Sequence, residues 1–384
     1  MLPLNNKHNI LFVGAFKASG RDGNVGGQLF ACRTLINSHL QEKYYWILID
    51  STASTNKSRM LLERLYRASL RMLKFIFRLV TNRKIGAVII FSSSGFSLKE
   101  KGLMALIARI FFQRPIIFAP RSGLILDDLE KSKFNRWWLR TVLKKVDRVL
   151  CQSTIWQTYY QELVGNEAEK YVVIENWIDP SKYNENRPNY LLKEEHEKLN
   201  ILYLGWVNKN KGIFDVIAAA GQLKHQNVRF IIAGDGDELD HAIKVVKAQN
   251  LEDLFDFKGW VRGKRKLALL QEADIFVLPS HREGYPNALL EAMASGIPTL
   301  ASKVGSIPDI IEDNETGLLF EAGHSEQLAG KLDLLISNGP LRKKLARNGR
   351  NKLAVNNTME QAMNKFEILL DEILSDSNRQ TFDK

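Results

Sequence analysis

"ADIFVLPSHREGYPNALLEAMASGIPTLAS", residues 273–302, reads as one complete strand, loop, helix and strand. Residues 275–278 form an apolar run without polar alternation, the mark of a strand covered on both faces in a parallel sheet. Pro286 is a favoured first-turn residue, so a helix opens near it, and 299–302 is the next strand. Glu283 then falls in the loop at the strand's carboxyl end, and Glu291 lies one turn inside the helix.

Working outward, the same alternation runs the length of the 384 residues. Strands are expected at 10–16, 45–50, 87–92, 116–119, 148–151 and 171–174, then at 199–205, 229–233, 254–258, 275–278 and 299–302, with helical patterns between them. This predicts an α/β protein of two doubly wound, Rossmann-like domains. The division expected is 1–183 for the first domain, a polar linker at 184–198 ("NENRPNYLLKEEHEK"), 199–357 for the second, and a final segment 358–384 whose helix, about 358–374, has one apolar face to cover.

Composition narrows the class. With 45% hydrophobic residues there is ample material for two cores, and no apolar run reaches the roughly 18 residues of a membrane span. The start reads as a polar leader running into a strand, without a signal peptide. Cys32 and Cys151 are far apart in apolar surroundings and read as buried free thiols, which fits a reducing cytoplasm. The net charge of +11 is uneven: up to Pro180 there are 27 Lys and Arg against 14 Asp and Glu, and beyond it 27 against 29. The excess is concentrated in "KSRMLLERLYRASLRMLKFIFRLVTNRK", residues 57–84, with nine basic residues and one acid. Arg64, Arg67, Arg71, Lys74 and Arg78 form one helical ridge, and Leu62, Leu65, Leu73, Ile76 and Val80 line another face. Two readings stand: a solvated helix packed on a sheet by its apolar face, or a helix lying on an anionic membrane surface. No aromatic-interleaved reader of nucleic acid is present, so nucleic acid is not an expected partner.

In open parallel sheets, ligands sit beyond the carboxyl ends of strands. "YLGWVNKNKG", 203–212, places Lys211 just before a helix opening, where a cation beside helix-terminal amides suits phosphate; a solvated loop lysine is the alternative. "AGDGDE", 233–238, has an acidic pair, Asp235 and Asp237, and two glycines of an incomplete dinucleotide fingerprint, and a strand-end turn accounts for both. "FKGWVRG", 257–263, is a loop whose main chain can meet a flat base. In the opening stretch, amides around 285–288 suit a diphosphate, Glu291 can accept from both hydroxyls of a ribose, and Glu283 remains to grip a sugar. The bland alternative makes these a solvated glutamate and a helix-dipole partner.

Taken together, Gly205, Lys211-Gly212, "AGDG", "GWV", "EGYPNALLEAMASGIP", "VGSIPDII" and "ETGLLF" resemble retaining glycosyltransferase family 4, with its two-domain GT-B fold; "VDRVLCQS" and "VIENWID" resemble the last strands of that family's first domain. The resemblance implies two Rossmann-like domains facing a central cleft and transfer of a hexose from a nucleotide-sugar donor, with UDP-sugars favoured over GDP-sugars and no cofactor or metal. Lys211 would neutralise the diphosphate and, with Glu283, carry catalysis. Glu291 would bind ribose, Glu283 with Gly284, Tyr285, Asn287 and Ala288 would hold the sugar and phosphates, and the main chain at Val261 would meet the base. Gly26 and Gly27 of "GNVGG" would let the first domain's backbone approach the phosphates, and the last helix would cross back to that domain. Asp235 and Asp237 are then structural.

The chain departs from the family at Trp206, where many members have a phosphate-binding arginine; Arg262 or Lys209 are candidate substitutes. Ser306 replaces a second glycine, Asp309 replaces a glutamate, and no His-containing acceptor loop is visible in the first domain. There, "FAPRSGLI" puts Arg121 at a strand end, either facing an acceptor phosphate or salt-bridged structurally. The basic first domain points to a lipid-linked glycan acceptor in bacterial surface polysaccharide assembly (lipopolysaccharide O-antigen, capsule or exopolysaccharide), with Arg64, Arg67, Arg71, Lys74 and Arg78 contacting the cytoplasmic face of the inner membrane. A nucleotide-sugar epimerase of the same fold and a non-catalytic sugar-nucleotide sensor are the alternatives; the first needs no acceptor and the second consumes no donor.

Overall fold

The computed structural model describes residues 7–17, 27–52, 61–165, 167–184 and 198–382. Gly26 and nearly all of the expected linker lie outside the described residues. The chain divides into two compact units, Met1–Asn176 with Glu360–Lys384, and Trp177–Met359.

In the first unit the strands are β1 (His8–Gly14), β2 (Tyr44–Asp50), β3 (Ile85–Ser92), β4 (Ile116–Pro120), β5 (Arg148–Cys151) and β6 (Tyr171–Val173). They pair in the order β2-β1-β3-β4-β5-β6, every ladder parallel. In the second they are β7 (Leu199–Leu204), β8 (Val228–Ala233), β9 (Phe255–Phe257), β10 (Ile275–Leu278), β11 (Thr299–Ser302) and β12 (Leu318–Phe320), in the order β12-β11-β10-β7-β8-β9, again parallel. All eleven expected strands appear within two residues of their expected ends. The twelfth, Leu318–Phe320, has only three residues, too few to show a pattern, and is defined by its pairing with β11.

Alternate residues of each central strand of the second sheet feed two cores. Ile201, Tyr203, Phe230, Ile232, Ile275 and Val277 pack on one face. Leu202, Leu204, Ile231, Ala233, Phe276 and Leu278 pack on the other. That explains why these strands read as unbroken apolar runs: both faces are dry. The helix Met359–Phe382 packs on the first unit, burying Met363, Phe366, Leu370 and Leu374 at helical spacing. Leu374 fits against Gly86 of β3, and Tyr44 donates to Asp371 at 2.5 Å.

The strand order places a switch point in each sheet, between β1 and β3 and between β7 and β10, where successive crossovers run to opposite sides and a crevice opens at the strands' carboxyl ends. Beside the second crevice the glycines of "AGDG" act as spacers. A Cβ on Gly234 would lie 1.8 Å from the Gly205 carbonyl oxygen, and one on Gly236 would lie 2.2 Å from that of Val207. Gly205 itself has nothing within 4 Å. Gly234→Ala is therefore expected to destabilise the protein by about 2 kcal/mol or more, with Gly205→Ala near neutral; equal thermal unfolding midpoints for the two variants would contradict this packing.

Candidate functional site

The loops after β7 and β10 meet at the switch point of the second sheet. Their main chains touch: His281 N donates to Asn210 O at 2.8 Å, and a Cβ on Gly212 would lie 2.0 Å from Pro279 O. Gly212 also has a φ of +68°, so this position requires glycine twice over. It opens the helix Ile213–Gln222, and Asp215 in that helix's first turn bonds the His281 ring at 2.6 Å.

Held this way, Lys211 Nζ sits 2.5 Å from Glu283 Oε1, and Ser280 Oγ donates to the same oxygen at 2.7 Å. Glu283 is buried and Lys211 partly so, and the pair is supported from beneath by Tyr203, whose phenol pKa is raised by burial and then by the Glu283 charge. A third loop closes around Glu283: Gly305, at φ +55°, packs its Cα on the Glu283 carbonyl, and the Ser306 hydroxyl donates to Gly284 O. Ser306, a departure from the family pattern, thus has a positive use.

Three positions after Glu283, Pro286 is the N-cap of the helix Asn287–Ala294, and no side chain caps its first turn. A helix N-terminus of this kind favours negative charge. Tyr285 is pinned by Asn357, which donates to its hydroxyl at 2.7 Å. Glu291 emerges one turn in and carries two partners that sequence reasoning missed. Lys266 Nζ lies 2.6 Å away, reaching from the helix Gly263–Glu272, and the Tyr183 hydroxyl bonds the same carboxylate, its pKa raised by burial and by that charge. Lys266 sits four residues after Arg262, one helical turn, and that spacing was its only signal in the sequence.

Trp206 lies against Trp260, ring centroids 4.7 Å apart and planes tilted by 39°, so the "GWV" loop and the β7 loop share an aromatic wall beside the buried Val261. Of the two candidate substitutes for the missing arginine, Lys209 is turned toward Glu238 at 3.7 Å, and Arg262 is exposed on the first turn of its helix. Lys266 is the better placed cation. Asp235 accepts from Gly236 N, and its carbonyl accepts from Val207 N in the loop after β7; among the described residues no cluster of three metal-ligating side chains occurs. Gly27, in the first unit, is the first residue of the helix Gly27–Ile36.

Also in the first unit, Arg121 follows β4, lies over the Phe91 ring at 4.8 Å and donates to Asn176 Oδ1. The basic helix, Leu61–Thr81, differs from its expected packing. Phe75 and Leu79 are the buried residues, with Ala68, whereas Leu62 and Leu73 are 73% and 65% exposed and Leu65 and Val80 also face out. Tyr66, Leu70 and Phe77 join them. The period was right and the face was shifted: of the expected stripe Ile76 packs, partly buried with Met72, against the core, and the other four residues turn out. Arg71 leaves the expected ridge: it forms a two-bond ion pair with the buried Glu100 at 2.7 and 2.9 Å. Arg67 pairs with Glu63, Arg64 lies over Phe96, and Lys74 and Arg78 are exposed.

Two doubly wound units with parallel sheets, each with a switch-point crevice, define the GT-B class. Over 96% of its length the chain superposes on sucrose-phosphate synthase from Thermosynechococcus elongatus, covering 100% of that chain with a TM-score of 0.79 at 18% identity. HepE from Anabaena, solved in complex with UDP-glucose, matches 95% of this chain and 99% of its own with a TM-score of 0.72 at 20% identity. Residues 185–352, most of the second unit, match the family model described as Glycosyl transferases group 1. The chain is also 36% identical over 196 residues to the amylovoran biosynthesis glycosyltransferase AmsK of Erwinia amylovora, an alignment covering 49% of this chain and 46% of that protein. The chain spans about half the length of the curated relatives it matches.

Proposed function

We propose that the protein is a retaining, metal-independent glycosyltransferase that moves a hexose from a nucleotide-diphosphate sugar, with UDP-sugars favoured, to a lipid-linked glycan in surface polysaccharide synthesis. The observation that carries this is the Lys211–Glu283 pair, fixed at a switch point beside the uncapped first turn of the helix Asn287–Ala294. Around it, the donor's diphosphate meets Lys211 and the first-turn amides, its ribose meets Glu291, its base meets the Val261 loop, and its sugar meets Glu283, Gly284, Tyr285, Asn287 and Ala288. HepE, which shares this fold, binds UDP-glucose, and AmsK acts in amylovoran biosynthesis; both support the donor and pathway classes.

In the reaction the bond from the anomeric carbon to the diphosphate oxygen breaks, the acceptor oxygen bonds to the same face, and the acceptor proton passes to the departing diphosphate. Negative charge grows on the leaving group. Lys211, held against Glu283, presents its remaining ammonium hydrogens to that charge, Glu283 accepts from the sugar hydroxyls through its other oxygen, and Lys266 is the second cation. Preorganised charge at the developing anion is the largest single contribution such a site makes. Lys211→Ala should lower kcat by about 100-fold, near 3 kcal/mol of barrier, with little change in melting temperature. Parallel losses of folded yield and turnover would instead make Lys211 structural.

We further propose that the enzyme works as a peripheral protein on the cytoplasmic face of an anionic membrane. Among the described residues no helix is long and apolar enough to cross a membrane. The outward stripe of Leu62, Tyr66, Leu70, Leu73 and Phe77, flanked by Arg64, Arg67, Lys74 and Arg78, combines apolar insertion with cationic attraction. Binding to phosphatidylglycerol-rich vesicles in a sedimentation assay should fall about tenfold in a Leu73→Glu, Phe77→Glu variant. Vesicle binding unaffected by these two changes would remove the helix from the interface.

A further inference from the structure

The crevice between β1 and β3 in the first unit holds two cations that none of the contacts described so far neutralises. Lys101, on the helix Phe96–Ile110 that follows β3, is only 5% exposed, and its ammonium donates to Ser97 Oγ at 2.8 Å. Its neighbour Glu100 has both oxygens committed to Arg71. Arg121, after β4, has neutral partners, the Asn176 amide oxygen and the Phe91 ring, and its Nη1 is sealed from solvent with no hydrogen-bond partner among the described residues. Both cations act on the thiol of Cys32, which packs against Gly14 at the end of β1: a Cβ on Gly14 would lie 2.6 Å from its Sγ. The three groups therefore mark one place, the carboxyl end of the sheet at its switch point.

The one carboxylate that acts on Lys101, Glu100, is already paired with Arg71, and Arg121 has none among the described residues, so the two buried cations are under-neutralised. Burial lowers the Lys101 pKa to about 8 and that of Arg121 to about 10, and pushes the Cys32 thiol up to about 12, so the thiol stays neutral and supplies no counter-charge. A site in this state is short of an anion. Four serines stand beside these cations: Ser94 and Ser122 are 3.5 Å apart, Ser97 holds Lys101, and the Ser92 carbonyl receives the Arg121 amide.

We infer that Lys101 and Arg121 form a binding site for a phosphate group of the acceptor, at the switch point of the first unit. This deepens the transferase reading and rests on it for the word acceptor; the anion site itself does not. It answers to the lipid-linked acceptor by chemistry, since the group joining a glycan to a lipid carrier is a phosphoester, and it lies at the switch point of its own sheet.

The test is isothermal titration of the full chain with phenyl phosphate, on wild type and on Lys101→Met, Lys101→Arg and Arg121→Gln. With UDP present to fill the second unit's crevice, wild type and Lys101→Arg should bind alike, and Lys101→Met and Arg121→Gln should bind about tenfold more weakly or worse, as charged hydrogen bonds are lost. Affinity unchanged in Lys101→Met would overturn the site. Tighter binding of methyl glucuronide than of phenyl phosphate would overturn the choice of phosphate over carboxylate. Melting curves without anion give a separate reading: Lys101→Met should be no less stable than wild type, because a buried charge has gone, whereas a drop would make Lys101 a structural partner of Ser97. UDP binding reports the second unit, so a wild type that binds UDP but not phenyl phosphate would sink this inference alone, and a wild type that binds no UDP would instead bear on the donor site.

Discussion

The close approach of two loops at the end of the second sheet governs the candidate site. Gly212 can lie against the Pro279 carbonyl only without a Cβ and only at positive φ, and once it does, Lys211 and Glu283 have little freedom to be anywhere but together. The 2.5 Å ion pair is thus a consequence of main-chain packing. Gly305 repeats the device from the other side, pressing on the Glu283 carbonyl, so a carboxylate in a loop is held as firmly as one on a helix. Such rigidity is what electrostatic catalysis requires, because groups already in place need no reorganisation as charge develops.

The second carboxylate is controlled differently. Glu291 is fixed by its helix and balanced by Lys266 and Tyr183, which hold its carboxylate in place. A partly buried carboxylate with a cation and a phenol at hand can exchange those bonds for hydroxyls at small cost, whereas an unpaired one would tend to take up a proton. The aromatic pair Trp206–Trp260 stands where the family places an arginine, and Lys266 brings the missing positive charge from a neighbouring helix.

The parallel sheets were legible because burial on both faces removes polar alternation, and the runs at 201–204 and 275–278 carry that signature in four residues each. Lys211, Glu283 and Glu291 were legible because strand ends and helix starts localise a ligand in this architecture. What escaped did so for physical reasons. Leu318–Phe320 is a strand by virtue of its neighbour and not its composition. The helix Leu61–Thr81 has two apolar faces, and sequence cannot say which one meets the core when Phe75 and Leu79 compete with Leu62, Leu65 and Leu73. Arg71 left the surface ridge because Glu100, twenty-nine residues away, drew it inward. Lys266, Tyr183 and Lys101 reach their places through contacts of long sequence separation, for which spacing gives no warning.

The most direct test of the donor site is a thermal-shift panel of UDP, GDP, ADP and their common sugar conjugates on wild type and Glu291→Ala. A ligand that binds only the native state raises its melting temperature by mass action, so the base is revealed even with the acceptor unidentified. A rise with the uridine series in wild type that disappears in Glu291→Ala is the expected result. No shift with any nucleotide, or the same shift in both proteins, would contradict the assignment of this crevice to a nucleotide-sugar.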